Sequence, residues 1–359
     1  MPLITLIKAD TLNKKIIVGT RNGALNILID NFELESTHQL TSPASHIVIE
    51  KNDELTMSLM GIMDPNDRPF GSIVTANQDG SLKQILIDSL KRPVYFEKAD
   101  LNSDGLEDFV ICAFGNYTGG LLVYENKGTS KFIKHTISNL PGSRKTVLKD
   151  INNDGRLDIL SLLTQGDEQI TLFMNEGNFN FKQKTLLRFP PVYGSSYFQI
   201  IDLNQDGRFD ILYTNGDNSD YSLILKPYHG VRIFTQDAHG NFNESWFYQM
   251  HGASQAIAFD YDQDGDLDIA AISFFSDYEN HPDEGFLYFE NTNQKFKPYK
   301  LADGASGRWL VMEVADVEGD GDKDILLGAL NFKSRVPDSL FQQWNNDQTS
   351  ILILKNTTH

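Results

Sequence analysis

The sequence predicts an all-β fold, a seven-bladed β-propeller built from four-stranded antiparallel blades. Three observations predict it. A nine-residue acidic pattern, D-x-[DNE]-x-D-G-x-x-D, occurs five times, starting at Asp100, Asp150, Asp202, Asp260 and Asp316. The starts are 50, 52, 58 and 56 residues apart, a period that belongs to repeat architectures. The same run of short apolar segments, separated by Gly, Asn and Asp, returns after each copy, as strands separated by tight turns would.

The acidic pattern comes first because it needs an explanation. In "DYDQDGDLDIAA", five acidic side chains fall within nine residues, which by itself disfavours order. Oxygens at alternate positions of a tight turn suit a hard cation such as calcium, which takes about 6–8 oxygen ligands. Positions 1, 3, 5 and 9 offer side-chain oxygens and position 7 a backbone carbonyl. Gly at position 6 permits the sharp turn.

The candidate ligands are therefore Asp100, Asn102, Asp104, Leu106 and Asp108 in the first loop, and Asp150, Asn152, Asp154, Arg156 and Asp158 in the second. The third has Asp202, Asn204, Asp206, Arg208 and Asp210. The fourth has Asp260, Asp262, Asp264, Asp266 and Asp268, and the fifth Asp316, Glu318, Asp320, Asp322 and Asp324. A helical calcium hand is excluded. Its position 12 must be a bidentate Glu, and here Ile111, Ser161, Tyr213, Ala271 and Leu327 stand there. The expectation is about five structural calcium ions, bound more tightly at the two loops with four ligand carboxylates, those at Asp260 and Asp316.

Each loop is followed by a buried strand such as "DILSLL", then by a strand ending on a turn such as "QITLFMNEGNFNF", then by a fourth such as "FKQKTLL". A short apolar strand leads into the next loop. The first hundred residues keep this rhythm without the acids: "KKIIVGTRNGALNILID" is a hairpin around Asn-Gly. Two metal-free blades thus precede five metal-binding ones. The expected single domain covers 1–359, with blades at about 1–42, 43–91, 92–141, 142–192, 193–251, 252–306 and 307–359. The last blade has no evident fourth strand, so either it has three strands or the chain belongs to a longer one.

The loops and following strands resemble FG-GAP or VCBS repeats, strongly over about residues 92–330 and by rhythm elsewhere. "AFGNYTGG" is the nearest approach to the element that gives the family its name. The resemblance is to the calcium-binding propeller of integrin α subunits and of many bacterial secreted and surface proteins. It implies the fold and the metal but no single activity, because such propellers serve as adhesion modules, lectins and some polysaccharide lyases.

Composition narrows the choice. A net charge of −18 with no basic run argues against nucleic acid or an anionic membrane as partner. No apolar run approaches the length of a membrane span. "MPLITLIKAD" does not read as a secretory leader. The single cysteine, Cys112, reads as a buried small hydrophobe. Multiple calcium loops point to a location outside the cytosol: secreted, periplasmic or on a cell surface.

A ligand is expected on the face away from the acidic loops. The segments entering each blade, "PASHI", "KRPVY", "GSRKT", "GSSYF", "GASQA" and "SGRWL", would place His46, Arg92, Arg144, Lys145, Tyr197, Gln255, Arg308 and Trp309 there. Arginine forks and aromatic rings together suit sugars that carry anions. The alternative is that these arginines are structural ion-pair partners. Three long loops, at 215–230, 275–285 and 331–348, join the same face and bring Lys226, Tyr228, His229 and His281. The reading is a monomeric binding module for carbohydrate or a protein partner, with Arg92, Arg144, Tyr197, Lys226, His229, Arg308 and Trp309 as ligand contacts. The runner-up is a polysaccharide lyase using His229 and Tyr228. Whether the protein is an enzyme stays open, with the weight on a non-catalytic module.

Overall fold

A computed structural model describes residues 3–29, 32–219 and 224–358. The chain folds as a seven-bladed β-propeller. Among the described residues, six antiparallel sheets have four strands in sequence order and the seventh has three. The chain divides into two compact units, one of residues 1–20, 27–35 and 193–359, the other of 21–26 and 36–192.

Blade 1 is made of Ile4–Asp10, Lys15–Thr20, Ala24–Ile29 and Glu33–Gln39. Blades 2, 3 and 4 lie within the second unit. They comprise Ala44–Ile49, Leu55–Leu59, Gly71–Ala76 and Leu82–Leu90; then Pro93–Ala99, Asp108–Ala113, Gly120–Asn126 and Phe132–Ser138; then Ser143–Lys149, Asp158–Leu163, Gln169–Asn175 and Phe181–Arg188. Blades 5, 6 and 7 lie within the first unit. Their strands are Ser195–Ile201, Asp210–Asn215, Gly230–Gln236 and Phe242–Gln249; Ala253–Phe259, Asp268–Ser273, Phe286–Thr292 and Lys295–Lys300; and Trp309–Ala315, Asp324–Ala329 and Ile351–Leu354.

The sequence dictates a gradient across each blade. The second strands of blades 3 to 7 start on the last Asp of an acidic loop, run apolar and small, and are buried at every position. The outer strands, such as FKQKTLLR, carry charge and are mostly exposed. Burying a continuous run such as DILSLL needs partners on both faces, and neighbouring blades supply them. Within the second unit, Phe96, Ile111 and Ile73 pack across blades 2 and 3, and Val110, Ile159 and Phe173 across blades 3 and 4. Within the first unit, Leu212, Ile269 and Phe289 join blades 5 and 6, and Trp309, Ile272 and Leu327 join blades 6 and 7.

Blade 7 also meets blade 1. Leu3 bridges Leu330, Lys8 pairs with Glu313 at 2.7 Å, and Ile4, Ile7 and Leu326 share a core. Gly328 allows this approach, because a Cβ there would stand 2.7 Å from the Ile4 and Val311 methyls.

One element departs from the expectation of long irregular loops. Within 331–348, Asp338–Asp347 form an α-helix. Trp344 is buried against Tyr278 and Val336, and its indole N–H donates to the Ala305 carbonyl at 2.7 Å. Leu340 and Phe341 of the same helix pack against this cluster, so the segment has an apolar face that its polar stretch, QQWNND, conceals. Residues 220–223 of the loop at 215–230 lie outside the described residues.

Candidate functional site

The five acidic loops each join the inner strand of a blade to its second strand. Their backbone explains the sequence pattern. Position 6 adopts a left-handed φ in every copy, from +83° at Gly155 to +101° at Gly321. Space around all five is open, so conformation and not crowding calls for glycine there. Position 4 is left-handed as well, at Ser103, Asn153, Gln205, Gln263 and Gly319. The loop therefore curls its N–H groups inwards.

In the loops at Asp100, Asp150 and Asp202 those N–H groups land on the acids. The amides of positions 5 and 6 donate to the first Asp, at 3.1 and 2.8 Å for Asp154 and Gly155 on Asp150. Asp104 and Gly105 do the same to Asp100, and Asp206 and Gly207 to Asp202. Asn at position 3 turns its amide onto the Asp at position 5: Asn102 on Asp104, Asn152 on Asp154, Asn204 on Asp206. In two of these loops, position 7 adds a cation. The Arg156 guanidinium pairs with Asp154 at 2.5 Å and Arg208 pairs with Asp206. Leu106 takes that position in the third. Burial raises the Asp100 carboxyl, but the amides of Gly105, Asp104, Ser103 and Asn102 outweigh it and hold the group below its ordinary value.

The loop at Asp260 is different. With Asp at position 3 there is no amide to neutralise its neighbours. Carboxylate oxygens of Asp260, Asp262 and Asp264 lie within 4.8 Å of one another. One oxygen of Asp260 and one of Asp266 are buried without a hydrogen-bond partner. Burial, followed by the charges of neighbouring acids, pushes the Asp262 and Asp266 carboxyls above their ordinary range. Backbone N–H groups of Asp264, Gly265 and Asp266 reach Asp262, Asp260 and Asp264, but the converging oxygens left unanswered fit a hard cation. In the loop at Asp316, Asp320 and Gly321 donate to the first Asp, while Glu318 is drawn aside to Lys355.

Position 9 does something the sequence reading did not assign. Asp108, Asp158, Asp210, Asp268 and Asp324 are essentially inaccessible to solvent. In four of them, one oxygen accepts the N–H of position 2 and the other the N–H of the residue ending, or just beyond, the third strand. The pairs are Leu101 and Asn126, Ile151 and Asn175, Leu203 and Gln236, and Val317 and Asn356, at 2.7–3.2 Å. Asp268 takes Asn291 N–H and the Tyr288 hydroxyl. Asparagine could serve a metal at this position, but it could not accept an N–H on each of its two terminal atoms, because its amide nitrogen only donates.

At the opposite ends of the same strands the expected ligand residues divide. In the first unit several are internal. Arg308 and Trp309 are 1% and 0% exposed. Arg308 donates to the Phe274 and Phe332 carbonyls and lies over the Phe332 ring at 3.9 Å. His229 is 1% exposed, so it meets no substrate from solvent. Burial first, then Lys226 and His251, lower its pKa to about 4, so it is neutral at physiological pH. Tyr228 stacks on Tyr193, and its carbonyl accepts Arg232, which lies over Tyr193 and Phe247. Arg232, which the sequence reading passed over, is therefore the cation that organises this region. Tyr197 and Lys226 remain partly exposed.

In the second unit, Arg92 donates to the carbonyls of Gly115 and Met63, at 2.6 and 2.9 Å, and lies over Phe114. Burial first, then the charge of Arg144, lower its pKa, so two guanidinium groups stand near each other in an acidic protein. Lys145 lies over the Tyr95 ring, which also meets His46. The carbonyl that Arg92 holds belongs to the turn 115–118. The Asp67 carboxylate accepts three N–H groups of that turn, from Asn116, Tyr117 and Thr118. Its product is a fixed turn whose tip, Tyr117, is 84% exposed, with Phe70 exposed nearby in sequence to Asp67. Neither ring was singled out from sequence, because exposure cannot be read from an isolated aromatic.

The FG-GAP-like repeat matches residues 100–161 and 150–213, so this stretch carries that repeat. No curated protein matches the chain. In fold it is similar to the Dos1 propeller, at 10% identity and a TM-score of 0.55 over 92% of this chain and 77% of that one. It is similar also to the Cps50 (Swd1) β-propeller domain of Myceliophteria thermophila, at 12% identity, TM-score 0.55, and 92% and 94% coverage. The Neurospora crassa Pan2 WD40 domain gives 11%, 0.53, 94% and 92%. At such identities the likeness is one of fold alone.

Two outcomes are expected from this geometry. Asp158→Asn replaces an acceptor by a donor facing an N–H and should cost about 1–3 kcal/mol in urea unfolding. For His229, the unfolded chain protonates near 6.5 and the native state only near 4. The unfolded state therefore binds more protons across that window, and stability falls as pH drops through it. Urea midpoints of His229→Phe at pH 7 and pH 5 should differ less than those of the wild type, by on the order of 1–2 kcal/mol in free energy.

Proposed function

We propose that the protein is a calcium-stabilised binding module located outside the cytosol, which takes carbohydrate bearing anionic groups through the blade ends opposite the acidic loops. The β-propeller with FG-GAP-like repeats supports a binding or scaffold role in general. The finer reading is carried by one observation: Tyr117 stands exposed on a turn fixed by three N–H bonds to Asp67, and Arg92 is anchored at that turn's base. A rigid exposed ring loses little freedom when a sugar face stacks on it. The guanidinium groups of Arg92 and Arg144 and the ammonium of Lys91, which donates to Thr118, supply positive charge for an acidic sugar. His229 and Tyr228 serve the scaffold in this reading. Arg308 and Trp309 do likewise, and Tyr197 and Lys226 are left as accessory contacts.

Calcium belongs first to the loop at Asp260, through Asp260, Asp262, Asp264 and Asp266. Bound there, the ion would supply the counter-charge that the loop lacks. The loops at Asp150 and Asp202 already carry a guanidinium, and so bind calcium more weakly.

Calcium should raise the melting temperature, and chelator should remove the gain, because a ligand of the native state stabilises it. Asp262→Asn should abolish most of that response, and Arg156→Ala should enlarge it; an unresponsive wild type argues against a structural ion. On immobilised polygalacturonate, the wild type should be retained at low salt, and Tyr117→Ala should lose about tenfold or more in affinity at an unchanged melting temperature. Equal retention of that variant would remove the ring from the site, and absence of retention on acidic and neutral glycans alike would favour a protein partner.

A further inference from the structure

In the second unit, two neighbouring loops are bound to each other. Residues 60–70 join the second and third strands of blade 2, and residues 114–119 do so in blade 3. The Asp67 carboxylate of the first loop accepts the N–H groups of Asn116, Tyr117 and Thr118 in the second, at 2.8–3.1 Å. Arg92 also holds both, through the Met63 carbonyl of one and the Gly115 carbonyl of the other. The first loop is braced within itself as well. Asn66 Nδ2 donates to the carbonyls of Ile62 and Asp64, at 3.2 and 2.7 Å, and Asn66 Oδ1 accepts the Arg68 N–H at 2.9 Å. Pro65 and Pro69 fix two of its backbone angles.

This cross-linked pair carries the exposed rings of the unit. Phe70 is 59% exposed and Tyr117 84%, and no other Phe or Tyr among the described residues of the second unit is exposed. One ring stands on each loop. Arg68 is exposed too, with its guanidinium carbon 5.9 Å from the centre of the Phe70 ring. The acids nearest to it in sequence are already engaged. Asp64 pairs with Arg21 at 3.1 Å, and Asp67 is taken up by the neighbouring turn. Arg21, Arg156 and Arg188 each pair with an aspartate, whereas Arg68 pairs with no carboxylate among the described residues. A protein of net charge −18 thus leaves one guanidinium unmatched beside an exposed ring on a braced loop.

That combination has a defined chemistry. A guanidinium fork fits a carboxylate, and the ring beside it offers a flat face. The surroundings are polar: Asp64, Asn66, Lys91, Asn116 and Thr118. Separate rings amid hydrogen-bonding groups suit a hydroxyl-rich chain better than a protein surface, whose contact core is depleted of charge.

We propose that Arg68 and Phe70 form a second subsite beside the one at Tyr117, and that the ligand is an acidic glycan chain of at least two sugar units. The inference rests on the glycan reading given above and extends it from one ring to two. Phe70 stacks on one sugar unit and Arg68 takes the carboxylate of that unit. Tyr117 receives another unit of the same chain. Because Asp67 and Arg92 tie the two loops together, the second contact forms at high effective concentration once the first is made.

The test is titration calorimetry of the whole protein at low salt. The probes are galacturonic acid, oligogalacturonates of two to six units, and the methyl esters of those oligomers. Wild-type affinity should rise by about tenfold or more from the single sugar to the longer oligomers, and should fall on esterification. Arg68→Gln should lose about tenfold on the longer oligomers only, together with most of the preference for acid over ester. Phe70→Ala should lose the gain with length and keep that preference. Both variants should melt as the wild type does, since both side chains are exposed. If Arg68→Gln binds the longer oligomers as tightly as the wild type while Tyr117→Ala loses them, the glycan reading stands and the second subsite falls. A loss equal at every length would put Arg68 in the first subsite and overturn the inference as well. A wild type that binds none of the oligomers overturns both and directs the two loops to a protein partner.

Discussion

The interaction on which the rest depends is the buried aspartate at the ninth position of each acidic loop. Its two oxygens hold one N–H near the end of the third strand and, in four of the five, one at the start of the loop. An ionised carboxylate is costly to bury alone, and burial raises the pKa of Asp108, Asp210 and Asp268. The amides aimed at it offset part of that cost, and the same bonds fix three strands to one loop. The loop is thereby closed at its base whatever happens at its tip. Tip chemistry can then vary, through asparagine, arginine or an all-acid set, without loss of the blade.

That variation divides five look-alike loops into two kinds. Asparagine at position 3 supplies N–H donors to its neighbouring carboxylate, and Arg156 and Arg208 supply full positive charge. The loop at Asp260 has neither and keeps buried oxygens unanswered. Counting carboxylates from sequence set the loops at Asp260 and Asp316 apart from the three with asparagine; in the structure Glu318 pairs with Lys355.

The fold was legible because its signals are local and repeated. A turn that needs a left-handed residue shows as Gly, and a strand buried on both faces shows as DILSLL or DIAAIS. Seven blades, including the two without acids, follow from that rhythm. The ligand face was less legible because burial there is decided by distant elements. "SGRWL" reads as an exposed entry segment, yet Phe274, Phe332 and Tyr278 enclose Arg308, and Gly304 accepts the Trp309 indole N–H. His229 looked like a general base and is a neutral core residue. Tyr117, in contrast, gains its meaning from Asp67, about fifty positions earlier in the chain. No local pattern connects the two.

The asparagine that ends the third strand has a consequence of its own. Asn175 and Asn356 each reach back to a carbonyl in the acidic loop of the preceding blade. Each such blade therefore completes a hydrogen bond that its predecessor's loop cannot complete alone. Damage to the loop at Asp100 or at Asp260 is thus felt first by the blade that follows it. Such a chain of neighbours loses order in contiguous runs of blades rather than at scattered points.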